Sequence, residues 1–336
     1  MAPRKPMIAA GTEIEMDRRE RLSKLAVLIA DRDQRTASLV QRIMYSFGFR
    51  NMDITTNGES VLELLRARHY DIIITEWNME PLDGLGLVKA IRTAQDDERI
   101  HRDIPIIMLT ARADLNSVQD ARDAGITEFV AKPFSAKTIS NRIIQIIDNP
   151  RTFIEAGDFI GPDRRRREPP PDIECRRVSE AATLPPDDRL RRHLGELNAA
   201  DIIDEIVVAE AQTDLLKAED DFIDWARADI LRLRRAFNVL QHEHDNMNAA
   251  RDLVDSAYAI QAQSGIFGYQ LGTEVAQLLI SYLNNRSSGF NADNLLVVSK
   301  YIDTIATIFK ERMKESGQGI AREMLFSLRQ LTQKLG

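Results

Sequence analysis

The sequence predicts an α/β domain built on a parallel sheet, followed by an all-α antiparallel helical bundle. Three observations carry that prediction. From Leu25 the short apolar runs LAVLIA, DIIIT, IPIIML and EFVA alternate with helix-period stretches such as QRTASLVQRIMYSFGF, the rhythm of buried parallel strands with helices on both faces. From about Asn198 to the end the apolar residues recur only at helical spacing. Between these halves the chain changes composition: Gly161 to Gly195 holds six of the twelve prolines, nine arginines and seven acids.

In chain order, residues 1–24 read as an N-terminal extension. MAPRKPMIAAGTEIEMDRRERLSK interrupts its few apolar residues with charges, so it lacks the apolar core of an export signal. Residues 25–149 form the α/β domain. Gly48, Asn57-Gly58, Gly84 and Gly125 fall between its runs, where turns and helix ends need permissive backbone. A last amphipathic helix carries Ile139, Ile143, Ile144, Ile146 and Ile147, and Asn149-Pro150 stops it. Residues 150–197 read as a mobile Pro/Arg-rich linker. Residues 198–336 form the bundle: Leu271, Val275, Leu278, Leu279 and Tyr282 define one helical face, and Leu295, Val298, Ile302, Ile305 and Phe309 another. Breaks are expected near Gly265 to Gly268, Arg286 to Asn291 and Ser316 to Gly319.

Composition excludes several classes of function. A net charge of -7 removes the positive field of a dedicated nucleic-acid binder. The single Cys175 forms no internal disulfide, and five scattered histidines show no ligand spacing, so a reducing, cytoplasmic setting is expected. No run approaches the roughly 18 apolar residues of a membrane span. His242 and His244 in QHEHDN fall on different helical faces and read as a solvated turn. His69, His101 and His193 are isolated in sequence.

Asp31 after the first strand, EWNMEPLDG after the third, Thr110-Ala111 after the fourth and Lys132-Pro133-Phe134 after the fifth resemble the receiver domain of two-component response regulators. The resemblance covers Leu25 to about Asp148. It implies a flavodoxin-like, doubly wound, five-stranded parallel sheet with its site beyond the carboxyl ends of the strands. Receivers accept a phosphoryl group on a strand-end Asp. Two further acids hold Mg²⁺, a hydroxyl senses the product and a Lys neutralises its oxygens. On that pattern Asp31 takes the first acidic position, Arg32 the second and Glu76 the acceptor position, while Thr110 and Lys132 match the switch hydroxyl and the lysine. Phe129 falls at the switch aromatic and, lacking a hydroxyl, can be buried without a polar partner. Lys132-Pro133 resembles the family's cis-prolyl junction, and Pro81 falls one place later than the usual proline.

Two of the three carboxylate positions have therefore changed. Glu is one methylene longer than Asp, which misplaces it as an in-line nucleophile. Arg32 puts a permanent cation where a hard metal needs an anionic oxygen. Together they imply a pseudo-receiver with Mg²⁺ binding lost or weak and no cofactor, in which Arg32 or Lys132 holds Glu76 as an imitation of the phosphorylated state. The alternatives are an Arg32 that points to solvent while Asp33 turns inward as a ligand, and a Glu76 that has drifted in a domain kept for its fold.

In the bundle, Tyr258 to Leu271 resembles the signature helix of histidine phosphotransfer (HPt) domains. Tyr258 stands at the nucleophile position and Gln261 at the lysine position. Ala262, Ser264 and Gly265 are small enough to admit a receiver closely. Tyrosine, with an ordinary pKa near 10, does not replace imidazole at neutral pH. The expected face is Tyr258, Gln261, Ala262 and Gly265; an unrelated helical bundle or dimerisation module is the alternative.

In the linker, Arg164, Arg165, Arg166 and Arg167 offer four guanidinium forks suited to phosphate, against a default of solvated linker. The expected function is a non-enzymatic signalling adaptor working through contacts with proteins such as a receiver or histidine kinase. No DNA or membrane partner is expected, and a homo-oligomer is compatible. Two rivals stay open: an active phosphorelay regulator with a non-standard acceptor, and a regulator that answers to a cyclic dinucleotide through the arginines.

Overall fold

The computed structural model describes residues 19–111, 115–156, 159–163, 182–184, 189–285, 289–315 and 319–335. The chain divides into two compact units, Met1–Ala131 with Ser135–Leu215, and Lys132–Phe134 with Leu216–Gly336.

The first unit is built on β1 (Ala26–Ala30), α1 (Gln34–Phe47), β2 (Asn51–Thr55), α2 (Gly58–Ala67), β3 (Ile72–Thr75), α3 (Gly84–Arg92), β4 (Ile106–Thr110), α4 (Leu115–Ala124), β5 (Glu128–Ala131) and α5 (Ala136–Asp148). The strands form one parallel sheet in the order β2-β1-β3-β4-β5. β1, β3 and β4 are buried along their whole length, which is why they read as unbroken apolar runs. β2, NMDIT, is a partly exposed edge strand without such a run. Asp33 caps α1 by accepting from the Arg35 amide, and Gly48 closes that helix at φ 115° with its amide on the Met44 and Tyr45 carbonyls. A Ser135–Thr138 capping box starts α5, which buries Ile139, Ile143, Ile146 and Ile147.

The segment expected as a mobile linker contains structure. β6 (Phe153–Ala156), β7 (Phe159–Pro162) and β8 (Ala182–Leu184) form an antiparallel sheet in the order β7-β6-β8. Phe153 and Ile160 are buried in it, and the Arg92 guanidinium lies 5.2 Å from the Phe153 ring. Arg102 pairs with Glu155 at 3.2 Å and Arg189 with Asp103 at 3.2 Å. These aliphatic and aromatic residues, few as they are, suffice because the sheet gains a floor on the α/β domain rather than having to form its own core. Arg164 to Arg167 and Cys175 lie outside the described residues.

α6 (Arg189–Leu194), α7 (Ala199–Ile202) and α8 (Glu205–Leu216) follow. The Asp148 carboxylate accepts from the amides of Ala199 and Ala200, at 2.6 and 3.0 Å, at the start of α7. Gln212 accepts from the Ala136 amide at 3.0 Å, and Arg19 pairs with Glu210 at 3.0 Å. The compact division therefore falls at 215/216 rather than at the 197/198 read from the change of pattern: helical periodicity marks a helix but not the core it joins.

The second unit contains α9 (Glu219–His242), α10 (Met247–Ile266), α11 (Gln270–Asn284), α12 (Ala292–Lys310) and α13 (Gly319–Leu335). α10 packs on α9 and α11, α12 packs on both of those, and α13 lies against α12. The expected break at Gly265 to Gly268 coincides with the end of α10 before α11, whereas residues 286–288 and 316–318, within the other two expected breaks, lie outside the described residues. At one end Phe222 stacks on Phe267 at 4.6 Å and meets Phe309 edge-on at 5.6 Å. Beside them Tyr269 donates to Glu219 at 2.8 Å, and Lys314 donates to the other oxygen of Glu219 at 2.8 Å. No helix among the described residues is long and apolar enough to cross a membrane.

Candidate functional site

The strand order brings the chemistry-bearing residues to one edge of the sheet. Asp31 follows β1, Glu76 follows β3, Thr110 ends β4 and Lys132 follows β5. All four strands are parallel, so these positions share the carboxyl-terminal edge. Asp31 and Glu76 sit on adjacent strands, where the connection order reverses between β1 and β3. The ladder runs on past both: the Glu76 amide donates to Ala30 O at 2.8 Å and the Asp31 amide to Thr55 O at 3.1 Å.

Both acids are buried, Asp31 at 3% and Glu76 at 7% exposure, and each spends an oxygen on nearby backbone. Asp31 Oδ1 accepts from the Asp33 amide at 2.9 Å. Glu76 Oε1 accepts from the Trp77 amide at 2.6 Å and the Asn78 amide at 3.3 Å, so its longer side chain curls onto the turn that follows it. Trp77 and Met79 anchor that turn in the core beneath the sheet. Its backbone is closed by Gly84, whose amide donates to Trp77 O at 2.8 Å. A Cβ on Gly84 would stand 2.1 Å from Glu76 O, so only glycine allows this approach. The spacing of Gly84 was legible in PLDG, but its function as a clamp on Glu76 was not.

Arg32 is exposed. Asp33 does not turn inward: its carboxylate takes the Arg35 amide at 3.1 Å, Arg35 Nε at 3.0 Å and the Thr36 hydroxyl at 3.2 Å, which makes it a helix cap. Thr110 is fully buried, and Phe129 is half-buried against the core cluster. Lys132-Pro133 is cis, and so is Glu80-Pro81. Among the described residues no group of three or more His, Cys, Asp or Glu is placed to hold a metal ion.

On α10 the residues Tyr258, Gln261, Ala262 and Gly265 share a face by helical spacing. Tyr258 is half-buried and its hydroxyl accepts from Asn284 Nδ2 at 3.3 Å, while Gln261 donates to Gln277 on α11. Ala262 is buried and Gly265 half-buried. His242 and His244 are exposed at the end of α9, with His244 Nδ1 2.9 Å from Leu240 O. His69 and His101, remote in sequence, meet edge-on at 4.7 Å, and His69 lies 3.3 Å from Asp71.

A pair of acids at the switch point of a 2-1-3-4-5 parallel sheet, followed by a strand-end hydroxyl and lysine, defines the class: a doubly wound, flavodoxin-like α/β domain with its site on the carboxyl edge. The model of the response regulator receiver domain matches residues 27–144. The chemotaxis protein CheY of Pseudomonas aeruginosa is 29% identical over 124 residues, 37% of this chain and 97% of that protein. Chemotaxis protein CheY-3 of Vibrio cholerae is 30% identical over 124 residues, 37% of this chain and 92% of that protein. Among solved structures, the receiver domain of a sensor histidine kinase from Pseudomonas aeruginosa, with a magnesium ion coordinated in its active site cleft, aligns at TM-score 0.32 and 26% identity over 36% of this chain and 94% of that one. The chain belongs to the response regulator receiver family through this domain, and receivers act with histidine kinases and other signalling proteins.

Proposed function

We propose that the chain is a two-component signalling adaptor whose receiver domain works without phosphotransfer, transmitting through protein contacts in concert with an HPt-like helical unit that lacks the phosphoacceptor histidine. The observation that carries this reading is the engagement of Glu76 Oε1 by the Trp77 and Asn78 amides. A carboxylate oxygen accepting two amide protons is a weakened nucleophile.

Magnesium fits this donor set poorly. The ion wants near-octahedral oxygen ligands, commonly one or two carboxylates with several waters. Here Asp31 and Glu76 each have one oxygen on backbone amides, Asp33 is committed to capping α1, and the second acidic position carries the cation of Arg32. Trp77, 5% exposed and next to Glu76, reports on the site directly. Titrating Mg²⁺ into the full chain should give no saturable change in tryptophan emission, and the double variant Arg32→Asp with Glu76→Asp should gain one. Saturable quenching of the unaltered chain, abolished by Asp31→Asn, would refute the metal-independent reading.

The helical unit supports the adaptor reading by its chemistry. Tyr258 presents a half-exposed ring with a polar tip, whereas Ala262, expected on an open face, is buried. The natural partners on this reading are a receiver or a histidine kinase.

A further inference from the structure

On the first unit, away from the strand-end acids, α4, β5 and α5 enclose a recess of about 360 Å³ whose lining includes Arg122, Arg142, Arg151, Glu128, Phe129 and Pro162. Three arginines and one glutamate line it, so the lining carries a net charge of +2. Glu128, on the edge strand β5, is 7% exposed and accepts from Arg151 at 2.8 Å and approaches Arg142 at 3.3 Å. That buried acid forms a floor that orients two arginines. Their side chains keep 28% and 45% exposure respectively. A guanidinium has five N–H donors in a planar fork, and one carboxylate contact each leaves donors directed elsewhere.

The half-buried Phe129 ring and Pro162 supply an apolar wall beside the cations. A recess of this volume lies within the range of small-molecule sites, which pair apolar surface with a few fixed charged groups. Two arginines held by one buried acid, with a third in the same lining, suit the chemistry of a tetrahedral dianion, whose oxygens accept forked hydrogen bonds from more than one guanidinium. We propose that this recess is a binding site for a phosphate monoester, with Arg122, Arg142 and Arg151 on the phosphate and Phe129 against the organic group. Glu128 competes with the ligand for two of the arginines and so sets the affinity. The site is independent of Glu76 chemistry and places a small-molecule input on the face opposite the sheet edge from β2.

Calorimetry with the full chain, using inorganic phosphate and phenyl phosphate at matched ionic strength in chloride, tests this. Saturable binding is expected for both, tighter for phenyl phosphate because it adds the contact with Phe129. Arg122→Gln and Arg151→Gln should each weaken binding about tenfold, the equivalent of one charge-assisted hydrogen bond at about 1.4 kcal/mol. Glu128→Gln should tighten it, because the competing charge is gone. A merely structural role for the cluster predicts instead that Glu128→Gln loses stability with no gain in affinity. The proposal is overturned if neither ligand shows saturable binding, if chloride competes equally, or if Glu128→Gln weakens binding. It is also overturned if binding survives Arg122→Gln but disappears when Arg164, Arg165, Arg166 and Arg167 are all changed to Gln.

Discussion

Replacing Glu76 by alanine tests the turn-anchoring interaction at the centre of the site. The carboxylate makes a 2.6 Å bond to the Trp77 amide and a longer one, 3.3 Å, to Asn78. A hydrogen bond to a charged group contributes about 1.5–3 kcal/mol, and a long one sits at the weak end of roughly 0.5–1.5 kcal/mol. Because Glu76 is 7% exposed, water does not freely replace what is lost. Glu76→Ala should therefore destabilise the first unit by about 2–3 kcal/mol. Glu76→Gln keeps a neutral acceptor and should cost about half of that. For a unit of this size each kcal/mol moves the melting temperature by about 2–4 °C, so the alanine variant should melt several degrees low. Urea unfolding followed by Trp77 emission in a Trp225→Phe background gives the free energies. Equal stability of Glu76→Ala and the unaltered chain, or equal losses for Ala and Gln, would show that the amide contacts are incidental.

Gly84→Ala should destabilise the first unit strongly, since its Cβ would collide with Glu76 O at 2.1 Å, and Trp77 emission should shift with it; an unperturbed spectrum would mean that the turn relaxes freely. Arg92 is fully buried, donates to Gly125 O at 2.9 Å and Arg102 O at 2.5 Å, and is pulled down to about 9 by burial, with Asp103 opposing. Arg92→Ala strands two carbonyls at about 1–3 kcal/mol each, and limited proteolysis should then cut within 150–162; a resistant variant contradicts the idea that Arg92 holds β6. In the second unit, burial pushes Glu219 up, but the Lys314 and Tyr269 bonds outweigh it and leave its carboxyl below the usual range, while burial and the Glu219 bond push Tyr269 from 10.0 up to about 12. The Glu219 contribution is thus present above its unfolded pKa and lost as pH falls through the folded value, and the Tyr269 contribution is lost as pH rises from 10.0 to about 12. Glu219→Gln should remove the acid limb of a stability–pH profile and reduce the alkaline one, which burial of Tyr269 mainly sustains, and unchanged limbs would assign them to other groups.

The buried strands were legible because parallel strands covered on both faces must be apolar throughout, as β1, β3 and β4 are. β2 was not, since an edge strand such as NMDIT needs no such run. Likewise β6 and β7 were hidden by composition: FIEA and FIGP lie beside a Pro/Arg-rich stretch, and their stability comes from Arg92 and other residues far away in sequence. The positions of Asp31, Glu76, Thr110 and Lys132 followed from motif order, because strand ends of a parallel sheet converge. What Glu76 touches did not follow, because it depends on the conformation of a turn closed by Gly84. Asp33 carried a readable signal: an Asp two residues before Arg35-Thr36 at a helix start is a cap by chemistry. The meeting of His69 with His101 and the pairing of Arg142 and Arg151 with Glu128 left no trace in local spacing.

Stoichiometric phosphorylation decides whether the receiver domain works without phosphotransfer. The full chain is incubated with acetyl phosphate and Mg²⁺, and separately with a phosphorylated histidine kinase, and intact mass is followed. No acyl phosphate is expected on the unaltered chain, and one is expected only in the double variant Arg32→Asp with Glu76→Asp. A stoichiometric, hydroxylamine-sensitive adduct on the unaltered chain, absent from Glu76→Gln, would contradict that expectation.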